Sequence, residues 1–397
     1  MSMRTKTRRN EIVRAGSSAL AVRSAALVAR GLRDLARYSN WLVKRVAIAH
    51  SARLAISAAG QVAAASRTRT EQSSGLAIYD IESGALRQVL SAPDETPVRA
   101  PEMLAALAWS ATGEHLVAAW KGWRQEFHWF DLGGTRFAGT FGSFPILPES
   151  VAWSEMGKCF AASWSGGTEA RLRLWGSARE ANGRVSFSSD PVGEVDTSAW
   201  PRWSQQGGAG DQPAGESSTG TGATLSSAET EESVVRGFGC AAFSPNEMQL
   251  ASAIEMEGDW TDDALVLLEV PSLQKRSLWH AQGRITDLAW THDSRGLIFC
   301  SGGQAYRLAP EGLEPESLPF GAELCACHPH LPICLCFSSW LRSSAKGRLF
   351  LVDLQRLEVF DEHAADGIAD VCWSLDGSKA YAVTNDGLAY IYEPPPL

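Results

Sequence analysis

One two-part pattern recurs along the chain at intervals of about 45 residues, and repetition of that kind restricts a fold more tightly than length or composition can. It reads LAISAAGQVAAAS (54–66), LAWSATGEHLVAAW (107–120), VAWSEMGKCFAASW (151–164), AAFSPNEMQLASAI (241–254), LAWTHDSRGLIFCS (288–301), CACHPHLPICLCFS (325–338) and VCWSLDGSKAYAVT (371–384). Each copy is a short apolar run, a polar turn and a second apolar run, the pattern of two antiparallel strands joined by a tight turn. The equivalent large positions are Ile56, Trp109, Trp153, Phe243, Trp290, Cys327 and Trp373, separated by 53, 44, 90, 47, 37 and 46 residues.

A third apolar run follows most pairs: GLAIYDI (75–81), EFHWFDL (126–132), RLRLWG (171–176), ALVLLEV (264–270), RLFLVDL (348–354) and LAYIYE (388–393), with the weaker QAYRLA (304–309) after the copy at 288. Short strands in units of this length are the blades of a β-propeller, each a four-stranded sheet. Seven pairs predict an all-β, seven-bladed propeller over residues 41–397. The 45% hydrophobic content is enough to bury such a core and excludes a wholly disordered chain. No run approaches the length of apolar residues that a membrane-spanning helix needs.

Over roughly residues 43–393 the chain resembles the WD-repeat family of β-propellers. That family closes its third strand with Trp-Asp, and here the pair reads Tyr79-Asp80, Phe130-Asp131, Trp175-Gly176, Val352-Asp353 and Tyr392-Glu393. One blade keeps more of the pattern: His363, Thr384, Asp386 and Tyr392 sit where the family places a structural hydrogen-bond network. The resemblance implies a stabilising role for these four residues and no chemistry.

The last blade lacks a fourth strand, because only the Pro-rich PPPL (394–397) follows LAYIYE. A ring must close or leave an exposed sheet edge, and WLVKRVAIAH (41–50), just before the first blade, is expected to supply the missing outer strand. The 90-residue gap is assigned to a flexible insertion at about 190–233, dominated by Gly, Ser, Thr and Ala from 205 onward. A hidden eighth blade beginning at SAWPRWS (198–204) is the alternative, but no further strands follow it.

Residues 1–40 form a separate domain in this reading. Lys6 and eight arginines face only Glu11 and Asp34, a local net charge of +7 that leaves the rest of the chain at −16 within a total of −9. On a helical wheel Val13, Leu20, Leu27, Val28, Leu32, Leu35 and Tyr38 of the 11–38 stretch share one face and Arg23, Arg30, Arg33 and Arg37 the other. This is a basic amphipathic helix. It packs on the propeller, docks a partner or a membrane surface, or is removed as a mitochondrial transit peptide, whose Arg-rich, acid-poor composition it shares. A secretory signal fits poorly because Arg23 interrupts the apolar region, and Arg8-Arg9 suggests a twin-arginine signal only faintly.

Eight cysteines, half of them on or beside core strands (Cys159, Cys240, Cys300, Cys372), suit a reducing compartment, with the cytoplasm as the expected location. The others cluster with His328 and His330 in CACHPHLPICLC (325–336). Thiolates and imidazoles are zinc ligands, but Cys325 and Cys327 align with Leu288 and Trp290, and Cys334 and Cys336 with Leu297 and Phe299. Strand alternation accounts for the spacing, so no metal is assigned.

Phosphate-loop, nucleophile-elbow, zinc-protease and dinucleotide motifs are all absent from the sequence, and the acidic EMEGDWTDD (255–263) lacks the spacing of a calcium loop. The net negative charge argues against coating nucleic acid. No enzyme activity and no cofactor are expected. Three readings remain: a scaffold or adaptor subunit that binds other proteins, a propeller enzyme with its site on the central channel, and a peripheral membrane propeller. For the scaffold, the loops between second and third strands carry Trp120, Trp123, Arg124, Trp260, Trp340 and Arg342, the Trp and Arg enrichment expected of an interface. Leu27 and Leu35 of the helix complete the expected binding set. Trp120, Trp164 and Trp340 also fit a second role, ending their strands packed between blades.

Overall fold

The computed structural model describes residues 42–48, 54–67, 74–91, 104–120, 127–132, 136–142, 148, 150–154, 157–164, 171–179, 185–196, 203–204, 232–257, 263–309, 314–339 and 347–394. These residues form strands and turns only, arranged as seven antiparallel sheets. Blade 1 comprises Leu54–Ser57, Gln61–Arg67, Ser74–Asp80 and Leu86–Ser91, counted from the inner to the outer strand. Blade 2 comprises Leu104–Trp109, His115–Trp120, Phe127–Asp131 and Arg136–Phe141. The later blades start at the inner strands Ser150–Trp153, Glu232–Phe243, Ile285–Trp290, Leu324–Cys327 and Ile368–Trp373. Each inner strand touches the inner strands of both neighbours, so the ring is closed.

The closing strand is Leu42–Ala47, which pairs antiparallel with Leu388–Tyr392 as the outer strand of blade 7. Its Val46 is buried against Ile56, Val62 and Ile81 of blade 1 and Tyr381, Val383 and Ile391 of blade 7. One short segment thus covers an open edge and fills a blade interface. The weak blade 5 is complete as well, with Gln304–Leu308 third and only Glu316–Ser317 outermost.

The sequence forms these hairpins because the inner turn repeats one chemistry. A Ser, Thr or His opens it, and the fourth residue closes it in the left-handed backbone region: Gly60, Gly113, Gly157 and Gly377 in four blades, Glu247 and Ser294 in two. At Gly377 a Cβ would also stand 2.4 Å from the His328 ring, so that glycine is required by contact as well as by its φ of +70°. The second strands are rich in fully buried alanine, among them Ala63, Ala118, Ala162, Ala253 and Ala382, and the third strands carry Leu76, Phe127, Trp175, Leu265 and Tyr392. Sheets converge toward the propeller axis, so small side chains fit near it and large ones farther out.

Blades 3 and 4 depart from the simple repeat. Gly193–Asp196, within the stretch assigned from sequence to an insertion, pairs with Arg171–Leu174 as the outer strand of blade 3. The third strand continues to Arg179 and there pairs with an extra strand, Val185–Phe187. Trp203–Ser204 pairs with Glu232–Ser233 at the start of the long inner strand of blade 4. Residues 205–231 lie outside the described residues, as does the expected helix of residues 11–38.

A chain starting at residue 41 is expected to stay soluble and monomeric, whereas one starting at residue 53 exposes the edge of Leu388–Tyr392 and should aggregate. Light scattering of the two truncations checks this, and equal behaviour would show that the closing strand is dispensable.

Candidate functional site

Side chains from neighbouring blades tie the inner strands together around the channel. The indole Nε1 of Trp109 donates to Ala55 O at 3.0 Å, that of Trp290 to Ala242 O at 2.9 Å and that of Trp373 to Ala326 O at 2.9 Å. In each case the acceptor lies one residue before the equivalent large position of the preceding blade. Cys327, which stands at the Trp position of blade 6, directs its Sγ to Ala289 O at 3.6 Å, the same acceptor position. The thiol takes over the link in a weaker form.

The other link is a carboxylate. In an antiparallel pair alternate N–H groups point away from the partner strand, and on an inner strand they face the channel. Asp287 sits at a bulge in the inner strand of blade 5. It accepts Leu288 N at 2.9 Å through Oδ1 and Cys325 N of blade 6 at 2.8 Å through Oδ2. Asp370 repeats this at the equivalent bulge of blade 7, accepting Val371 N at 2.9 Å and Ile56 N of blade 1 at 2.9 Å. Burial raises Asp287 to about 7 and Asp370 to about 6 in spite of the backbone donors, which favour the charged form, and the charge of Asp370 adds to the rise at Asp287. Sequence reasoning did not single out these two residues, although both stand in an Asp-x-x-Trp run, Asp287 before Trp290 and Asp370 before Trp373.

The junction of blades 2 and 3 lacks the indole link. Trp153 Nε1 is buried with no acceptor among the described residues. Phe187 of the extra strand packs there, 5.3 Å from the Trp153 ring and stacked on Phe141 at 4.2 Å. This aromatic wedge occupies the interface, and a cleft of about 320 Å³ opens beside it between the inner turns of the two blades.

The cysteine cluster is core. Cys325 pairs with Cys336 and Cys327 with Cys334, in the same register as Leu288 with Phe299 and Trp290 with Leu297 one blade earlier. The thiols face blade 5, where Cys325 Sγ points at Ile298 O. His328 faces blade 7 instead, its Nε2 3.1 Å from Gly377 O and its ring 4.6 Å from Trp373, while His330 is exposed. Imidazoles and thiols therefore do not converge, and among the described residues no group of three or more ligands could hold a metal ion. Hydrogen bonds between thiols, together with burial, keep Cys325, Cys327 and Cys336 well above the usual thiol range.

The four residues of the family network meet as two pairs, one between His363 on the outer strand of blade 6 and Tyr392 of blade 7, the other within blade 7. The His363 ring lies edge-on to Tyr392 at 5.9 Å, and Thr384 Oγ1 bonds Asp386 Oδ1 and receives Leu388 N at 2.9 Å. Both pairs brace the third strand and the turn before it. Of the expected binding residues, Trp120 ends the second strand of blade 2 opposite Leu104. Trp123, Arg124, Trp260, Trp340, Arg342, Leu27 and Leu35 lie outside the described residues. Trp164 is buried between blades 2 and 3, 6.2 Å from Trp175 and beneath the Arg173 guanidinium, so it serves packing.

At one mouth of the channel the inner turns build an apolar funnel of about 280 Å³. The residue after the turn-opening Ser, Thr or His lines it in six blades: Ala58, Ala111, Pro245, His292, Pro329 and Leu375. Trp290 and Trp373 form its floor, with their N–H groups already bonded to the preceding blades.

No family model matches the chain, and no curated protein matches it in sequence. Solved structures do match in shape. A chain of the mitotic checkpoint complex superposes with a TM-score of 0.57 at 12% identity, covering 91% of this chain and 94% of that one. The β-propeller domain of Cps50 (Swd1) from Myceliophteria thermophila gives 0.56 at 11% identity, covering 89% of this chain and all of that domain. The fold is a seven-bladed WD-repeat-like β-propeller. At these identities the likeness concerns the fold alone, and the degenerate Trp-Asp positions read from the sequence fall at the ends of third strands in blades 1, 2, 6 and 7, while Trp175-Gly176 of blade 3 lies within its longer strand.

Two measurements test the propeller's inner links. Trp373→Phe loses a bond that Trp153→Phe does not, so it should lower unfolding stability by about 1 kcal/mol more; equal losses in urea titrations would remove the indole bond as a source of stability. Asp287 and Asp370 have folded-state values above the 3.8 of a free carboxyl. Their contribution is therefore full below about pH 4 and is lost as pH rises through about 6 and about 7. Stability should fall between about pH 4 and about pH 7, and the double variant Asp287→Asn with Asp370→Asn should flatten that slope. An unchanged slope would place its origin elsewhere.

Proposed function

We propose that this propeller is a non-catalytic scaffold or adaptor subunit that binds other proteins through its rim loops. The carrying observation is that Asp287 and Asp370, half-buried acids at the channel edge, each have both oxygens engaged by backbone N–H groups of two adjacent blades. A channel enzyme needs ionisable groups turned toward substrate, and these are turned toward the fold. One of the similar solved structures belongs to a complex, the mitotic checkpoint complex, which agrees with a propeller that works in company. The eight thiols are free, which suits a reducing compartment such as the cytoplasm.

Copurification of the full-length protein should recover protein partners. Trp123→Ala or Arg124→Ala, in the rim loop between the second and third strands of blade 2, should then weaken binding by about 1 to 3 kcal/mol with little change in melting temperature. Titration calorimetry with the recovered partner measures this, and affinity unchanged in both variants would move the interface away from these loops. Flotation with anionic liposomes, if it depends on residues 1–40, would favour the membrane reading instead.

A further inference from the structure

The apolar funnel on the inner-turn face has open apolar surface around it. Leu375 at its edge is 49% exposed, and Met248, in the blade 4 turn, is 61% exposed. The face that carries them also holds the funnel. Its fixed charges are well defined. Asp376, beside Leu375, accepts Ser374 Oγ at 2.7 Å and Ser378 N at 3.0 Å, and Asp293, beside His292, accepts Thr291 Oγ1 at 2.7 Å and Arg295 N at 3.0 Å. These bonds hold Asp376 down at about 2 and lower Asp293 against the opposing effect of its partial burial, so both are anionic at neutral pH. Of the cations on this face, Lys158 pairs with Glu247 and Lys379 with Glu82, and Arg295 adds one more positive charge.

The register of blade 7 shows what lies within reach. Leu42 is opposite Tyr392, Tyr392 opposite Ala380, and Ala380 opposite Trp373, so the four residues form one row across the sheet. Three strand spacings put Leu42 about 14 Å from Trp373, at the end of the blade that carries the funnel. About five extended residues span that distance, so residues 37–41 suffice, and the apolar stripe of Leu35, Leu32, Val28 and Leu27 follows directly. This stretch belongs to the arm with a net charge of +7, attached to a body of −16.

We propose that the N-terminal arm of the same chain docks by its apolar stripe on the funnel at the inner-turn mouth of the channel, with its arginines toward Asp293 and Asp376. The opposite face, with the rim loops, then stays open to partners. This docking needs no partner and stands apart from the scaffold reading, so it is tested on the purified full-length protein alone.

Hydrogen exchange of the turns 291–296 and 374–379 is compared between the wild-type chain and Leu27→Glu with Leu35→Glu. The two turns should exchange about tenfold faster in the variant, while the second strand of blade 5, Leu297–Ser301, remains as in wild type and so reports an intact propeller. In the reciprocal experiment Leu375→Glu, in the funnel itself, should speed trypsin cleavage at the arm's arginines about tenfold. Equal exchange of the turns in wild type and variant overturns the proposal, and so does wild-type cleavage as fast as that of Leu375→Glu. Protection that disappears on dilution together with a dimer mass also overturns it, because the occupant is then a second copy.

Discussion

Every blade of this protein has two apolar faces and can cover neither by itself. The buried side chains accordingly fall into seven clusters, one at each blade interface, and no single core is shared by the sheets. Each interface depends on the presence of the next, which makes ring closure the condition for all of them. Val46, brought from the start of the propeller to its last blade, completes the seventh cluster.

The links around the channel show how a repeat tolerates change. Trp109, Trp290 and Trp373 reach the preceding blade through an indole N–H, Cys327 reaches the same backbone position through a thiol, and Asp287 and Asp370 reach forward to the next blade. What persists is the tie between adjacent inner strands, and the residue type varies. At the blade 2–3 junction the indole link is missing and the aromatic wedge around Phe187 fills the gap, packing Phe141, Trp129 and Trp153 together. Each oxygen of these two acids accepts one backbone N–H, so both acids take part in the tie.

The propeller thereby presents two unlike faces. The inner-turn face combines an apolar funnel with anchored carboxylates. The opposite edges of the sheets carry the ends of the second strands, among them Trp120.

The sequence by itself determined the number of blades, the all-β class and the identity of the closing strand, because each is written in a local pattern: apolar alternation, a turn of fixed chemistry, and a last blade short by one strand. It also favoured a core place for the cysteine cluster, since Cys325, Cys327, Cys334 and Cys336 fall in register with Leu288, Trp290, Leu297 and Phe299, and the structure places them there. Only the tertiary structure decided that Gly193–Asp196 completes blade 3, that Val185–Phe187 adds a wedge, and that Asp287 and Asp370 bridge neighbouring blades. Outer strands pack on one side and carry little apolar pattern, and the partners of the two acids lie 38 and 314 residues away in sequence. The first needs the next blade in place and the second needs the ring closed, so no local signal can announce them.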